Sequence, residues 1–293
     1  MLDLFFNIIY NCHSSYFKVK SMNYKILTCP VCKGALSGDD KHCACEGSHS
    51  FDLARQGYLN LLLSQKKGTH GDNKEMTEAR RAFLSGGFYS PLCSSLCKKA
   101  NEYINDGDTI IDCGCGECYY TDEIERYLKG KGKDTLFYGF DISRDAIIYG
   151  ARRNKNLSLL VAGVYHMPFC DEGADALFSI FSPFAREEFL RVLKKGGILF
   201  SVIPTEKHLW SLKKAIYDTP YENELSPYEI EGFELIDKEE VKNRITLSGE
   251  SLQNLFKMTP YYYRTKEKDR QKISSLSELE METEFEILVY KKV

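Results

Sequence analysis

From Asp108 onward the chain alternates between two hydrophobic periods, and that alternation restricts the fold more than any other feature. Short apolar runs at residues 109–113, 136–140, 157–161, 174–181 and 197–203 are separated by amphipathic stretches at 120–128, 143–154 and 185–193. Runs that are apolar on both sides and joined by segments of helical spacing suit a parallel sheet with helices on its two faces. An α/β fold is expected, with a doubly wound, Rossmann-like sheet. Two more helices, at 78–84 and 91–104, should precede the sheet, and Pro91 suits a first helical turn. Strands at 233–236 and 285–289, with a helix at 251–258 between them, should follow it. With 293 residues, 43% of them apolar, the chain can bury one large core and a small one.

The first run leads straight into Asp112-Cys113-Gly114-Cys115-Gly116, with a helix expected just after. In such a strand, turn and helix, Gly114 and Gly116 permit a sharp bend and let the backbone approach a ligand closely. The next strand ends in Gly139-Phe140-Asp141, and an acid at that place can accept both ribose hydroxyls of an adenosine. The residues just past Gly116 separate the cofactors. A dinucleotide needs a third glycine and a bare helix N-terminus for its pyrophosphate, whereas Glu117, Cys118, Tyr119 and Tyr120 stand here. A bulky acidic rim disfavours phosphate and suits S-adenosylmethionine, which carries a sulfonium and an ammonium. Asp112 is then expected to orient the methionine amine through water or the loop backbone, and Tyr120 and Thr121 to line the methionine end. Cys113, Cys115 and Cys118 lack the Cys-x3-Cys-x2-Cys spacing of radical adenosylmethionine enzymes, so they are expected to fill small positions around the loop.

The N-terminal part follows another rule. Cys29-Pro-Val-Cys32 and Cys45-Glu-Gly-Ser-His49 are two close ligand pairs separated by a loop of finger-like length. Each pair turns tightly enough to aim two donors at one ion, and together they complete a closed tetrahedral zinc site, which is structural and not catalytic. Cys43 competes for the third position, but choosing it would leave the Cys45-x3-His49 spacing unused. His42 and His70 read as surface residues. Eleven cysteines, none beyond Cys170, fit metal ligands and buried thiols better than a disulfide framework.

Lys plus Arg number 39 and Asp plus Glu 42, so a net charge of -3 provides no global polybasic field, and nucleic-acid contacts must come from a local patch. No stretch reaches the length of a membrane span, and the run at residues 2–10 lacks the features of a signal peptide, so a cytoplasmic protein is expected. The polar segment 64–76 reads as a connection. The expected organisation is an extension at 1–21, a disordered tail or over-extended start; a zinc-binding ribbon-like module at 22–63; a linker and leading helices at 64–106; and the cofactor-binding domain at 107–293.

These residues together resemble the bacterial 23S ribosomal RNA guanine-N1 methyltransferases. The likeness runs from Met22 onward through both ligand pairs, Gln56 to Leu62, Ala79-Arg80-Arg81-Ala82-Phe83-Leu84, Phe88-Tyr89 and Asp112 to Thr121. It continues through Gly139 to Ser143, Met167-Pro168-Phe169, Lys195-Gly196-Gly197, His208-Leu209 and Met258-Thr259-Pro260. The resemblance implies that Cys29, Cys32, Cys45 and His49 hold zinc and that Tyr89, Tyr120, Thr121 and His208 contact S-adenosylmethionine. It implies methyl transfer to N1 of a guanine in a 23S rRNA hairpin loop and is compatible with a homodimer. Two departures stand out: Cys118 replaces a glycine of the family loop, and Gly163 stands where many methyltransferases have an acid for the adenine amine.

Ser182-Pro183-Phe184, after the fourth strand, is a candidate grip on the target base, with an ordinary strand-ending turn as the alternative. Lys66, Lys67, Lys74, Arg80 and Arg81 are candidate RNA contacts. Pro260-Tyr261-Tyr262-Tyr263-Arg264 is either a stacking surface or an aromatic strand on the sheet. No residue is identified as the general base. Two other functions fit part of the pattern: a small-molecule methyltransferase with a zinc accessory module, and a non-enzymatic zinc-ribbon RNA-binding protein.

Overall fold

The computed structural model describes residues 22–63, 71–225 and 227–293. The expectations for residues 1–21 and for Lys66, Lys67 and His70 lie outside them. A small antiparallel ribbon comes first, made of β1 (Ser37–Gly38), β2 (His42–Ala44) and β3 (Ser50–Asp52). Next come β4 (Tyr58–Asn60) and two helices, α1 (Lys74–Ser85) and α2 (Ser90–Tyr103). The alternating region gives β5 (Thr109–Cys113), α3 (Tyr119–Gly130), β6 (Leu136–Asp141), α4 (Arg144–Arg153) and β7 (Ser158–Val161). It continues with β8 (Ala174–Ile180), α5 (Arg186–Val192), β9 (Leu193–Pro204) and α6 (Trp210–Ile216). The C-terminal part is β10 (Phe233–Ser248), α7 (Gly249–Met258), α8 (Pro260–Arg264), α9 (Glu267–Ser274) and β11 (Glu278–Lys292).

The large sheet has eight strands in the order β10-β11-β9-β8-β5-β6-β7-β4. Its central strands are parallel, and β11 runs antiparallel to both β9 and β10. Strand order reverses at β5, which lies between β6 and β8, so the crevice for a ligand opens beyond the carboxyl end of β5. Successive residues of β5 serve opposite faces: Ile110 joins the core beneath α2, α3 and α4, and Ile111 joins the core on the other side.

That second face is covered in an unusual way. The crossover from β7 to β8, residues 162–173, contains no helix, and the N-terminal segment fills the place. Leu27 bridges to Phe169, the Thr28 N–H donates to the Pro168 carbonyl at 2.9 Å, and the Cys170 N–H donates to the Ile26 carbonyl at 2.9 Å. Cys29, Leu36 and Cys43 share one buried cluster with Tyr138, Phe140 and Phe169. The module expected over 22–63 also reaches the sheet itself, because β4 pairs in parallel with β7 as its outermost strand.

Two expectations are corrected. The strand expected at 233–236 is 16 residues long; its inward acids hid its length, and they are answered by α2, where Lys99 Nζ lies 2.6 Å from Asp237 and 3.6 Å from Glu239. The strand alternative for Tyr261-Tyr262-Tyr263 gives way to the helix α8, which Pro260 opens. Among the described residues no helix is long and apolar enough to cross a membrane.

Candidate active site and metal centre

The turn after β5 needs its two glycines for different reasons. Gly114 has φ +70°, and a Cβ there would lie 2.6 Å from Cβ of Ser182; Gly116 has φ +55°, and a Cβ there would meet nothing within 4 Å. One glycine permits close packing, and the other borders open space at the mouth. Cys118, in the family's glycine position, keeps a left-handed φ of +64° and starts α3. A β-carbon at Gly150 of α4 would lie only 2.5 Å from its sulfur, so the glycine there makes room for the thiol.

Asp112, at the end of β5, is buried, and Thr121 Oγ1 donates to its Oδ2 at 2.5 Å, while its Oδ1 has no partner. Burial pushes its pKa up to about 7, and the nearby Asp141 carboxylate adds to the rise. Asp141, at the end of β6, accepts the Gly116 N–H at 3.0 Å and the Ser143 N–H at 2.7 Å. Each carboxylate oxygen keeps acceptor capacity beyond these bonds. Asp72 closes over this end: its carbonyl accepts from Ser143 Oγ at 2.9 Å, and its carboxylate lies 2.8 Å from Arg80, which also donates to the Met258 carbonyl at 3.2 Å.

The methionine-end candidates meet in an aromatic cluster. Phe285 of β11 packs edge-on against Tyr89 at 4.9 Å and lies 4.4 Å from His208 and 5.3 Å from Phe181, and Phe181 in turn lies 6.3 Å from Tyr120. The Tyr120 hydroxyl is buried without a partner. The Glu284 N–H donates to Nδ1 of His208 at 3.1 Å, which assigns the remaining ring proton to Nε2. Burial lowers the His208 pKa to about 3, so the ring is neutral. Asn223 holds the turn that carries it, donating to the Thr205 carbonyl at 2.8 Å while it accepts from the buried Lys213 at 2.6 Å.

Sequence reasoning missed Phe181 and Phe285, whose apolar character signalled only strand interior. It also misread Glu117. This side chain is buried and held by Arg153, whose Nε donates at 2.9 Å, so it forms no rim around the mouth. The acids that stand at the ends of the strands beside the turn are Asp112 of β5 and Asp141 of β6. Of the basic candidates, Arg80 is engaged internally, Arg81 lies over the Tyr149 ring at 5.0 Å, and Lys74 is exposed beside Glu78. Phe184 packs edge-on against Phe189 at 5.0 Å.

In the N-terminal module, ligand atoms of Cys29, Cys32, Cys45 and His49 all lie within 4.8 Å of one another, and Cys43 stands outside the group. Left-handed residues tighten both turns: Lys33 (φ +63°), with its N–H on the Cys29 carbonyl at 2.8 Å, and Ser48 (φ +62°), with its N–H on the Cys45 carbonyl at 3.0 Å. Cys32 Sγ and Cys45 Sγ are 3.5 Å apart, and Cys45 Sγ is 3.4 Å from His49 Nδ1. Ligands of a tetrahedral zinc ion with bonds of about 2.3 Å sit at about this spacing. The donor set suits that ion. His42 lies apart and exposed beside Asp39.

Residues 27–70 match a zinc-ribbon family described as "RlmA, N-terminal", and residues 104–257 match a family described as "Methyltransferase domain". Together with the sheet order and the glycine turn, these define an S-adenosylmethionine-dependent methyltransferase that carries a zinc ribbon. The YcgJ protein of Bacillus subtilis, a solved structure, is similar with a TM-score of 0.47 and 13% identity over 68% of this chain and 97% of that one. A protein of Bacillus subtilis (strain 168), provisionally named 23S rRNA (guanine-N(1)-)-methyltransferase YxjB, is 31% identical over 271 residues, 89% of this chain and 94% of the relative. The 23S rRNA (guanine(748)-N(1))-methyltransferase of Streptomyces fradiae is 30% identical over 247 residues, 80% of this chain and 85% of the relative. The chain belongs to the 23S rRNA (guanine-N1)-methyltransferase family.

Proposed function

We propose that the chain methylates N1 of a guanine in a hairpin loop of 23S ribosomal RNA, in the cytoplasm. The observation that carries the reading is two of the three buried, unpartnered oxygens around the turn after β5, Asp112 Oδ1 and Tyr120 Oη; the third, Glu117 Oε1, belongs to the carboxylate that Arg153 already holds. Buried polar atoms normally have partners, and a zwitterionic amino acid end answers both. Asp112 holds the ammonium; Asp141 accepts ribose hydroxyls; Gly114 and Gly116 let the nucleoside lie against the backbone. Gly163, where a Cβ would meet nothing within 4 Å, leaves room for the adenine. Tyr89, Tyr120, Thr121 and His208 line the methionine end. Cys29, Cys32, Cys45 and His49 hold the zinc. All these residues lie in one chain, so the reading needs no second copy.

S-adenosylmethionine, when bound, supplies an electrophilic methyl group on its sulfonium. The protein's part is to present the guanine N1 in line with it in a dry site. His208 does not take the N1 proton, because its one ring lone pair already accepts the Glu284 N–H. It can donate through Nε2. Burial keeps the Tyr89 and Tyr120 phenols protonated, so they too act as donors.

Mapping of N1-methylguanine in 23S rRNA, from cells with and without the gene, tests the proposal. One modified guanine in a hairpin loop should vanish with the gene and be restored by the purified chain and S-adenosylmethionine. Turnover of a free metabolite, with 23S rRNA left unmodified, would sink it.

Asp112 adds a pH signature. Its raised pKa means that the unliganded fold keeps a proton up to about pH 7, whereas the unfolded chain releases it near pH 4. Stability of the unliganded protein should therefore fall as pH rises between those values. Binding an ammonium requires the ionised acid, so affinity for S-adenosylmethionine should rise by roughly tenfold between pH 6 and 7.5 with release of a proton. Calorimetry in buffers of different ionisation enthalpy reads this directly, and Asp112→Asn should weaken binding and flatten the profile. A pH-independent affinity in the unsubstituted chain contradicts the assignment.

A further inference from the structure

We propose that Phe181, rather than Phe184, is the aromatic surface against which the target guanine rests; this builds on the RNA substrate proposed above. Phe181 directly follows β8, the neighbour of β5 at the point where strand order reverses. Its φ is +56°, a left-handed conformation that bulky side chains rarely adopt and that recurs at functional sites. Several contacts hold it there. Its N–H donates to the Val202 carbonyl at 3.3 Å, the hydroxyls of Ser179 and Ser182 share a hydrogen bond at 2.9 Å, and Ser182 sits against Gly114.

The left-handed turn directs the ring out of the sheet interior. It packs on Phe285 and Tyr120, two members of the methionine-end cluster, yet keeps 40% of its surface exposed. Phe184 is 37% exposed, but its ring is docked on Phe189 of α5, and among the described residues no ring pair joins it to that cluster. An open aromatic surface at the edge of a cofactor pocket suits a flat, unstacked base from a nucleic-acid loop, because base and ring can stack without sequence-dependent hydrogen bonds. Phe181 thus sets the plane of the guanine, and Tyr120 and Phe285 set the ring.

The test uses the full chain and a 23S hairpin that the unsubstituted chain methylates. Phe181→Ala should lower kcat/KM for the RNA roughly 10- to 100-fold, with a smaller loss, below about fivefold, in affinity for S-adenosylmethionine, whose pocket the ring borders through Tyr120. Phe181→Trp should retain most of the activity, and Phe184→Ala should change it less than about threefold. A hairpin carrying 2-aminopurine in place of the target guanine should be quenched on binding the unsubstituted chain and stay brighter with Phe181→Ala; a purely structural role would not move this signal. Loss confined to Phe184→Ala, or unaltered quenching in Phe181→Ala, overturns the assignment while leaving the RNA reading intact. Failure of the unsubstituted chain to methylate any 23S hairpin sinks both.

Discussion

Cys29→Ser is expected to lower the thermal midpoint by about 10 °C or more and to abolish stoichiometric zinc binding. Cys29 is fully buried and belongs both to the ligand cluster and to the apolar cluster that covers one face of the large sheet. Metal binding free energy at such a site is folding free energy. A module this small has little core of its own, yet it occupies the place that a crossover helix would fill over residues 162–173. Losing one ligand should therefore be felt beyond the ribbon, in the packing of Leu27 and Leu36 against Phe169. A loss of about 4 kcal/mol corresponds to about 10 °C for a domain of this size. Differential scanning calorimetry combined with zinc analysis measures both effects, and chelation of the unsubstituted protein should reproduce them. Cys43→Ser separates ligation from packing: Cys43 is equally buried but outside the cluster, so this variant should lose some stability and keep its zinc. An unchanged midpoint in metal-free protein would refute the coupling.

Asp141→Ala should weaken S-adenosylmethionine binding roughly 100-fold or more, since hydrogen bonds to a charged group contribute about 1.5–3 kcal/mol each and two ribose hydroxyls are at stake. The same carboxylate accepts the N–H groups of Gly116 and Ser143, so the substitution also removes two fixed points of the cradle. Isothermal titration with S-adenosylmethionine gives the affinity, and circular dichroism checks that the fold persists. Adenosine added alone tells the contributions apart: its binding should fall with Asp141→Ala and stay nearly constant with Asp112→Asn, which acts at the methionine end. Equal losses in both variants would mean that the loop, and not the ribose contact, was damaged.

The legible parts of the molecule are those in which the residues that interact are neighbours in the chain. Cys29 and Cys32 form one turn, Cys45 and His49 another, and the spacing within each already limits the donors to one ion. The run from Thr109 to Thr121 likewise holds strand, turn and helix start in a single local pattern. The extent of β10 was hidden because its inward acids at Asp237 and Glu239 violate the alternation of a half-buried strand, and their cation, Lys99, comes from a helix far away in sequence. Glu117 misled for the same reason. An acid after Gly116 reads as exposed until Arg153, on α4, is found holding it in the interior.

Local spacing and hydrophobic period thus determined the parallel sheet, the glycine turn, the acid at the end of β6 and the metal donor set, because each depends on residues within a few positions of one another. Tertiary structure decided which of those groups face the mouth. It joined Tyr89, Tyr120, His208 and Phe285 from four separate segments, turned Phe181 outward, placed β4 at the edge of the sheet and set the zinc ribbon over the crossover. Those arrangements arise from strand order and from partners distant in sequence, so no window of the chain contains them.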